Sequence, residues 1–290
     1  MRLLAALVAF ALIGAVAFWV LTAPAEFDPK IAQAMSQPGD AKAGEAVFWA
    51  GGCAACHAKS GEPLKLGGGA ELKTPFGPIH PPNISPDRED GIGAWTGAQF
   101  ARALYDGVDN EGEHLYPAFP YPSYRHTSIA DARNLWAFLR TLPPVKGQAP
   151  PPGFRFPFNI RRAIGIWKRL YLSPLAPPET VAAADSADYG RYLVHGPGHC
   201  GECHTPRDFL GGMVSSKALS GAPAPDGKGK APNITPTGLS KWSESDIELA
   251  LSTGITPDGD SLGDAMAAVV TDVGHLPKEY ITAVARYLKR

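Results

Sequence analysis

The chain has 290 residues and a formal net charge of −1, enough length for two domains of ordinary size and no basic excess of the kind that binds nucleic acid, so no nucleic-acid partner is expected. Its 32 glycines and 29 prolines predict many loops and little sheet. Its four cysteines fall in two close pairs, Cys53/Cys56 and Cys200/Cys203, which excludes a scattered disulfide framework and makes their chemistry local.

The first predicted element is an apolar helix. Leu3 to Leu21 contains neither a charge nor a proline; at 1.5 Å per residue it would be about 28 Å long, close to the hydrocarbon thickness of a bilayer. That run exceeds the roughly 7–15 apolar residues of a secretory signal, and Trp19 stands near its outer end, where an interfacial aromatic belongs. Residues 1–25 read as an N-terminal membrane anchor, or as a signal if Ala23-Pro24-Ala25 is cleaved. Both readings export the remainder, and the anchor reading, the expected one, gives a chain on the inner membrane with its main body in the periplasm.

The exported part repeats itself. Gly44-Glu45-Ala46-Val47-Phe48 leads into Cys53-Ala54-Ala55-Cys56-His57, and Gly190-Arg191-Tyr192-Leu193-Val194 leads into Cys200-Gly201-Glu202-Cys203-His204. His57 and His204 are 147 positions apart, as are Trp95 and Trp242. Pro82-Asn83-Ile84-Ser85-Pro86 matches Pro232-Asn233-Ile234-Thr235-Pro236. Each tryptophan precedes a helix-like segment, Thr96 to Tyr105 and Ser243 to Ser252, with Thr96 and Ser243 as N-caps. Each half closes on an apolar stretch at helical spacing, Ala130 to Leu142 and Lys278 to Lys289. No segment sustains strand alternation. The expectation is a mainly α chain with units at 40–142 and 185–290, joined by a Pro-rich segment at 143–184. That segment carries Phe154, Phe156, Phe158, Ile160, Ile164, Ile166, Trp167, Leu170 and Tyr171, apolar residues that need cover, so it is expected to pack across both units. Arg161, Arg162, Lys168 and Arg169 among them suit partner or propionate contacts, or a solvated helix face.

The C-x-x-C-H pentapeptide attaches c-type haem: two thiols bond the two vinyl groups and the adjacent histidine ligates the iron. Two copies in equivalent places predict two covalently bound haem c groups, on Cys53, Cys56 and His57 and on Cys200, Cys203 and His204. A structural zinc site would need four ligands in closed geometry. A redox dithiol would need a βαβ context that is absent here.

The sixth ligand sets the redox character, because methionine raises the potential relative to histidine. Met266 lies 62 positions after His204, just before the closing helix, and is the expected ligand of the second haem. Met213 is expected to pack beside it. In the first half the equivalent position holds Phe119, which cannot ligate iron, and no methionine lies between His57 and Met213. His126, in the distal loop before the closing helix, is the leading candidate; His114, His80 and an open site are the alternatives. His195, His199 and His275 have no such vacancy to fill and read as structural. Trp95, Trp242, Asn83 and Asn233 suit haem-edge contacts or loop packing equally.

These residues resemble the membrane-anchored or periplasmic diheme cytochromes c of proteobacteria, related to the cytochrome subunits of membrane-bound alcohol and aldehyde dehydrogenases. The likeness lies in Thr74-Pro75-Phe76-Gly77, Pro82-Asn83-Ile84, Gly91-Ile92-Gly93-Ala94-Trp95, Leu115-Tyr116-Pro117-Ala118-Phe119-Pro120-Tyr121 and Gly198-His199-Cys200-Gly201-Glu202-Cys203-His204-Thr205-Pro206-Arg207. It implies two tandem class I cytochrome c-like domains after an N-terminal transmembrane helix. In such dehydrogenase subunits position 119 is typically a methionine ligand, or a methionine near Tyr124–Thr127 serves; here Thr127 stands there, with His126 beside it. Those subunits usually carry three haems, and only two motifs occur here.

The implied function is electron transfer, with no catalytic residue, from a membrane-associated dehydrogenase or quinol-oxidising complex to an oxidase or soluble cytochrome. The alternatives are a catalytic first haem acting on peroxide or a sulfur oxyanion, and an obligate subunit of a dehydrogenase complex.

Overall fold

Helices form where the caps and apolar spacing place them in a computed structural model that describes residues 1–224, 229–263 and 265–290. Helix α1 (Arg2–Leu21) has no buried residue and is long and apolar enough to cross a membrane. Helix α2 (Pro29–Ala34) starts on the Asp28 cap. It leads to α3 (Ala41–Ala50), capped by Asp40, and to the short α4 (Cys53–His57). Helix α5 (Gly97–Asp106) opens on a reciprocal box of Thr96 and Gln99. It is followed by α6 (Tyr121–Tyr124) and α7 (Ile129–Leu139). Between the halves lies α8 (Ile164–Tyr171). The second half contains α9 (Ala187–His195), α10 (Gly201–His204), α11 (Glu244–Thr253), α12 (Ala265–Val273) and α13 (Lys278–Leu288). Helix α11 opens on a box of Ser243 and Asp246, so both expected N-caps hold. The closing helix α7 stops three residues short of the expected Leu142: the chain tightens into turns in which Thr141 N donates to Phe138 O and Leu142 N to Leu139 O, and Pro143 disfavours helical backbone at Leu142. Sheet is confined, among the described residues, to two short antiparallel ladders: Leu72–Thr74 with Gly77–Ile79, in register Leu72 to Ile79, and Ala222–Pro223 with Lys230–Ala231.

Two helix crossings organise the packing. Helix α3 crosses α7, and α9 crosses α13. Each crossing is made at a glycine: a Cβ on Gly44 would stand 1.9 Å from the Asn134 carbonyl oxygen, and one on Gly190 would stand 1.9 Å from that of Ala283. No side chain fits at that separation, so the same glycine sets the same close approach in both halves. Gly44→Ala is expected to force α3 off α7. The overpacking costs about 3 kcal/mol, partly offset by about 1 kcal/mol of helix propensity. Thermal unfolding followed at the haem absorbance should show the loss as a midpoint lower by roughly 5 °C; an unchanged midpoint would refute the crossing.

The first core gathers Phe48, Leu66, Phe100, Leu104, Leu135 and Leu139, and Leu276 of the second half packs against it. The second core gathers Val194, Leu219, Leu239, Ile247 and Leu288. The segment between the halves does pack on both. Trp167 donates to the Leu210 carbonyl, and Lys168 Nζ donates to the carbonyls of Asp106 and Gly107. The expected cover is incomplete, however: Phe156, Phe158, Ile160, Ile166 and Leu170 remain exposed.

Candidate cofactor-attachment sites

Each attachment motif occupies a helix of about one turn. Cys53 and Cys56 begin and nearly end that turn in α4, so both thiols face the same side and His57 follows directly. Cys200 caps α10, which carries Cys203 and His204. The histidine rings are held alike. His57 Nδ1 lies 2.7 Å from the Pro82 carbonyl oxygen, and His204 Nδ1 lies 2.8 Å from that of Pro232. A carbonyl only accepts, so Nδ1 carries the hydrogen and the Nε2 lone pair is left for a metal. The backbone around each ring repeats too. Gly68 N donates to His57 O and Ile84 N to Leu66 O; Gly221 N donates to His204 O and Ile234 N to Leu219 O. Sequence reading passed over these two support loops, although Leu66-Gly67-Gly68 and Leu219-Ser220-Gly221 carried the signal.

Burial pushes the Cys53 and Cys200 thiols up to about 12, the reverse of the depressed thiolate of a redox dithiol. Burial lowers His57 and His204 and so favours the neutral imidazole that ligates iron. No cluster of three or more His, Cys, Asp or Glu side chains forms among the described residues, so the pairs do not assemble into a closed zinc site. Two neutral thiols beside one imidazole with a free Nε2 is the donor set that haem c takes.

The distal candidates separate by geometry. Met266 sits half-buried in the first turn of α12, after a loop pinned by pairing of Ile255 with Ser261. The first half pins the equivalent loop by pairing Val108 with His114. His114 is buried with both ring nitrogens engaged, Nε2 at 2.8 Å from the Thr22 carbonyl oxygen and Nδ1 at 3.0 Å from Lys168 Nζ. It is therefore a structural group. His80 lies two residues before Pro82, on the side of the proximal ring, with Nε2 4.0 Å from Glu71. Phe119 packs on the first core with its ring 5.4 Å from that of Tyr124. The His126 side chain is exposed, at the point where its backbone meets Gly196 of the second half. Asn83 proves to be a loop-packing residue, donating to the carbonyls of Val145 and Gly147. Arg161, placed above among possible propionate contacts, instead pairs with Asp109 and Glu113.

The two motifs meet across the halves. Just ahead of the first motif, the Gly51 carbonyl accepts from Tyr124 OH at 2.6 Å, and His199 Nε2, just ahead of the second motif, lies 3.2 Å away from it. Ser123 donates to Glu202, inside the second motif. Helix α12 leans on α3 and α4, and His275 beyond it stacks on Trp49 at 3.8 Å. After burial, charges at Asp272 and Cys203 push the Cys56 thiol up further. His199 and His275 are structural, as expected, but their place between the halves is new.

Asp272 is 5% exposed, and its Oδ2 has no hydrogen-bond partner among the described residues. Burial raises its carboxyl to about 6. The native state therefore binds the proton more tightly than the unfolded chain does. The contribution is fully present below about pH 4 and is lost as pH rises through 6. Asp272→Asn should thus stabilise the protein at pH 7.5 by about 1–3 kcal/mol and leave it unchanged at pH 4. Equal gains at the two pH values in thermal melts would refute the assignment.

Comparison with known proteins gives the family. The cytochrome c family matches residues 41–143. A "Diheme cytochrome c-type" protein of Cereibacter sphaeroides is 49% identical over 281 residues, covering 96% of this chain and 93% of that protein. The chain belongs to the diheme cytochrome c family. This diheme cytochrome c carries two covalently bound haem c groups. It is also 38% identical over 244 residues to the fructose dehydrogenase cytochrome subunit of Gluconobacter japonicus, covering 82% of this chain and 49% of that protein. With the cytochrome c subunit of the quinone alcohol dehydrogenase of Gluconobacter oxydans it shares 36% identity over 259 residues, covering 86% of this chain and 54% of that protein. The cytochrome thus spans about half the length of these two relatives.

Proposed function

We propose that this diheme cytochrome c is a membrane-tethered, periplasm-facing electron carrier. It would take electrons from a membrane-associated dehydrogenase or quinol-oxidising complex and pass them to an oxidase or soluble cytochrome. The observation that carries this reading is the meeting of the two attachment motifs at Gly51, Tyr124 and His199, which supports electron transfer between the two sites. The likeness to cytochrome subunits of dehydrogenases supports a dehydrogenase as donor. The unburied apolar α1 supports an anchor over residues 1–25. The repeated glycine crossings and proline-bonded histidines support two tandem class I units, 40–142 and 185–290, joined by 143–184.

In this reading Cys53 and Cys56 hold one haem and Cys200 and Cys203 the other. His57 and His204 would each supply one ligand to a haem iron, with Met266 as the further ligand to the second and His126 to the first. When bound, each haem supplies a one-electron iron couple. The protein holds the proximal imidazoles neutral and brings the two motifs together between its halves. His/His ligation in the first half and His/Met in the second would send electrons from the first haem to the second.

Low-temperature EPR of the oxidised protein and of His126→Ala, beside a spectroscopic redox titration, tests this. The expected result is two low-spin signals, one of them lost in the variant, with the second haem at the higher potential. A spectrum unchanged by the substitution removes His126; equal or reversed midpoints overturn the direction of transfer. Rapid carbon monoxide binding to one haem of the resting reduced protein would favour a catalytic first haem.

A further inference from the structure

The end of α1 is gripped by the body of the protein. A helix leaves its last carbonyls unpaired and carries a partial negative charge at its C-terminus. Here α8 and its flank supply what that end requires. Arg162 donates to the Trp19 carbonyl at 2.8 Å, and its guanidinium lies 4.0 Å over the Trp19 ring. Arg169 donates to the Leu21 carbonyl at 2.6 Å. The next residue, Thr22, is fully buried, meets His114 through its carbonyl and lies directly against Gly165. A tether that let the body swing freely would not be bonded at three successive points.

This grip fixes the direction in which α8 faces. On a helical wheel, Arg162, Gly165 and Arg169 share the side that holds α1. Lys168 turns to the first half, reaching Asp106 and Gly107, and Trp167 turns to Leu210 of the second. The remaining side carries Ile166 and Leu170, 44% and 63% exposed. Phe156 at 78% and Phe209 at 88% are exposed too. Their chain neighbours meet: Gly211, two residues after Phe209, lies against Phe76, whose ring is 4.7 Å from that of Phe158, two residues after Phe156. From Ala132 to Pro178 the chain has no acidic residue, while Arg155 and Arg169 stand exposed beside the patch. An apolar face edged with arginine, attached to the end of a lipid-spanning helix, has the composition of an interfacial segment.

We infer that α8 and the Phe156–Ile160 stretch lie in the bilayer–water interface, with Ile166 and Leu170 against the acyl chains, so that the body is held in one orientation on the membrane. The inference rests on the anchor reading of α1, because that helix sets the level at which α8 sits. It explains why these apolar residues lack protein cover: the lipid covers them. It also predicts that each haem stands at a fixed height above the bilayer.

The test uses the whole protein in vesicles of phosphatidylethanolamine and phosphatidylglycerol that contain a lipid with a diazirine on its acyl chain. After irradiation, adducts are mapped by mass spectrometry. The expected pattern is labelling of peptides spanning 156–170 within about threefold of α1 and at least tenfold above Glu244–Thr253. In an Ile166→Asp/Leu170→Asp variant the 156–170 adducts should fall at least fivefold while those on α1 stay. Labelled α1 with unlabelled 156–170 overturns the inference, leaves the anchor standing and assigns the patch to a protein partner. Unlabelled α1 overturns the anchor reading and the inference with it. The wild-type map decides between these outcomes even if the variant fails to accumulate.

Discussion

Met266→Ala is expected to lower the midpoint potential of one haem by on the order of 100 mV or more, while the other moves little, since axial ligands span most of a volt of haem potential. The asymmetry follows from the two distal loops. Both are pinned at the same point, by Val108 with His114 and by Ile255 with Ser261, but they deliver Phe119 in one half and Met266 in the other. A phenylalanine ring offers iron no lone pair, whereas a thioether does and favours the reduced state. Removing that sulfur should therefore change only the half that uses it. A spectroscopic redox titration resolves the two midpoints. Two unshifted midpoints would exclude Met266 as a ligand, and equal shifts in both would point to a general loosening of the fold. Met266→His should restore a low-spin iron without restoring the potential.

The Cys53→Ser/Cys56→Ser chain is expected to carry one haem, and so is Cys200→Ser/Cys203→Ser. In the proposed assignment each pair serves a single cofactor, since each lies on its own short helix with one histidine and its own proline carbonyl. Alkaline haemochrome absorbance per chain should fall by half in either variant, and the covalent mass should drop by one haem. Two haems retained in either variant would refute the attachment sites. The loss should also weaken the fold unequally. The first motif lies under α12 of the second half as well as against its own core, so emptying it should lower the unfolding temperature more than emptying the second.

Much of this molecule was legible in its sequence because the signals are short-ranged. A five-residue motif can only wrap one turn around one haem. Thr96 and Ser243 announce their helices because the capping bond spans three residues. Met266 and Phe119 were matched to each other by counting from a histidine along a repeated design. Even the proline carbonyls on the two rings follow from a repeated Pro-Asn-Ile. The support loops at Gly68 and Gly221 were equally local and could have been read.

The tertiary structure decided what depends on residues far apart in the chain. His114 looked like a candidate iron ligand until Thr22 and Lys168 occupied both its nitrogens. Nothing near His114 in sequence announces either partner. Asp272 reads as an ordinary helix residue, yet it is buried against the other half's attachment motif. The apolar stretch between the units was expected to be covered by protein, and only the fold shows that its outer side is bare and faces away from both halves. The sequence by itself determined that there are two haem sites of one design with unequal distal positions, because chemistry and local backbone geometry set those. How the halves meet and how the body grips its apolar helix were decided by packing. Those contacts join residues about 70 to 150 positions apart, which no local pattern encodes.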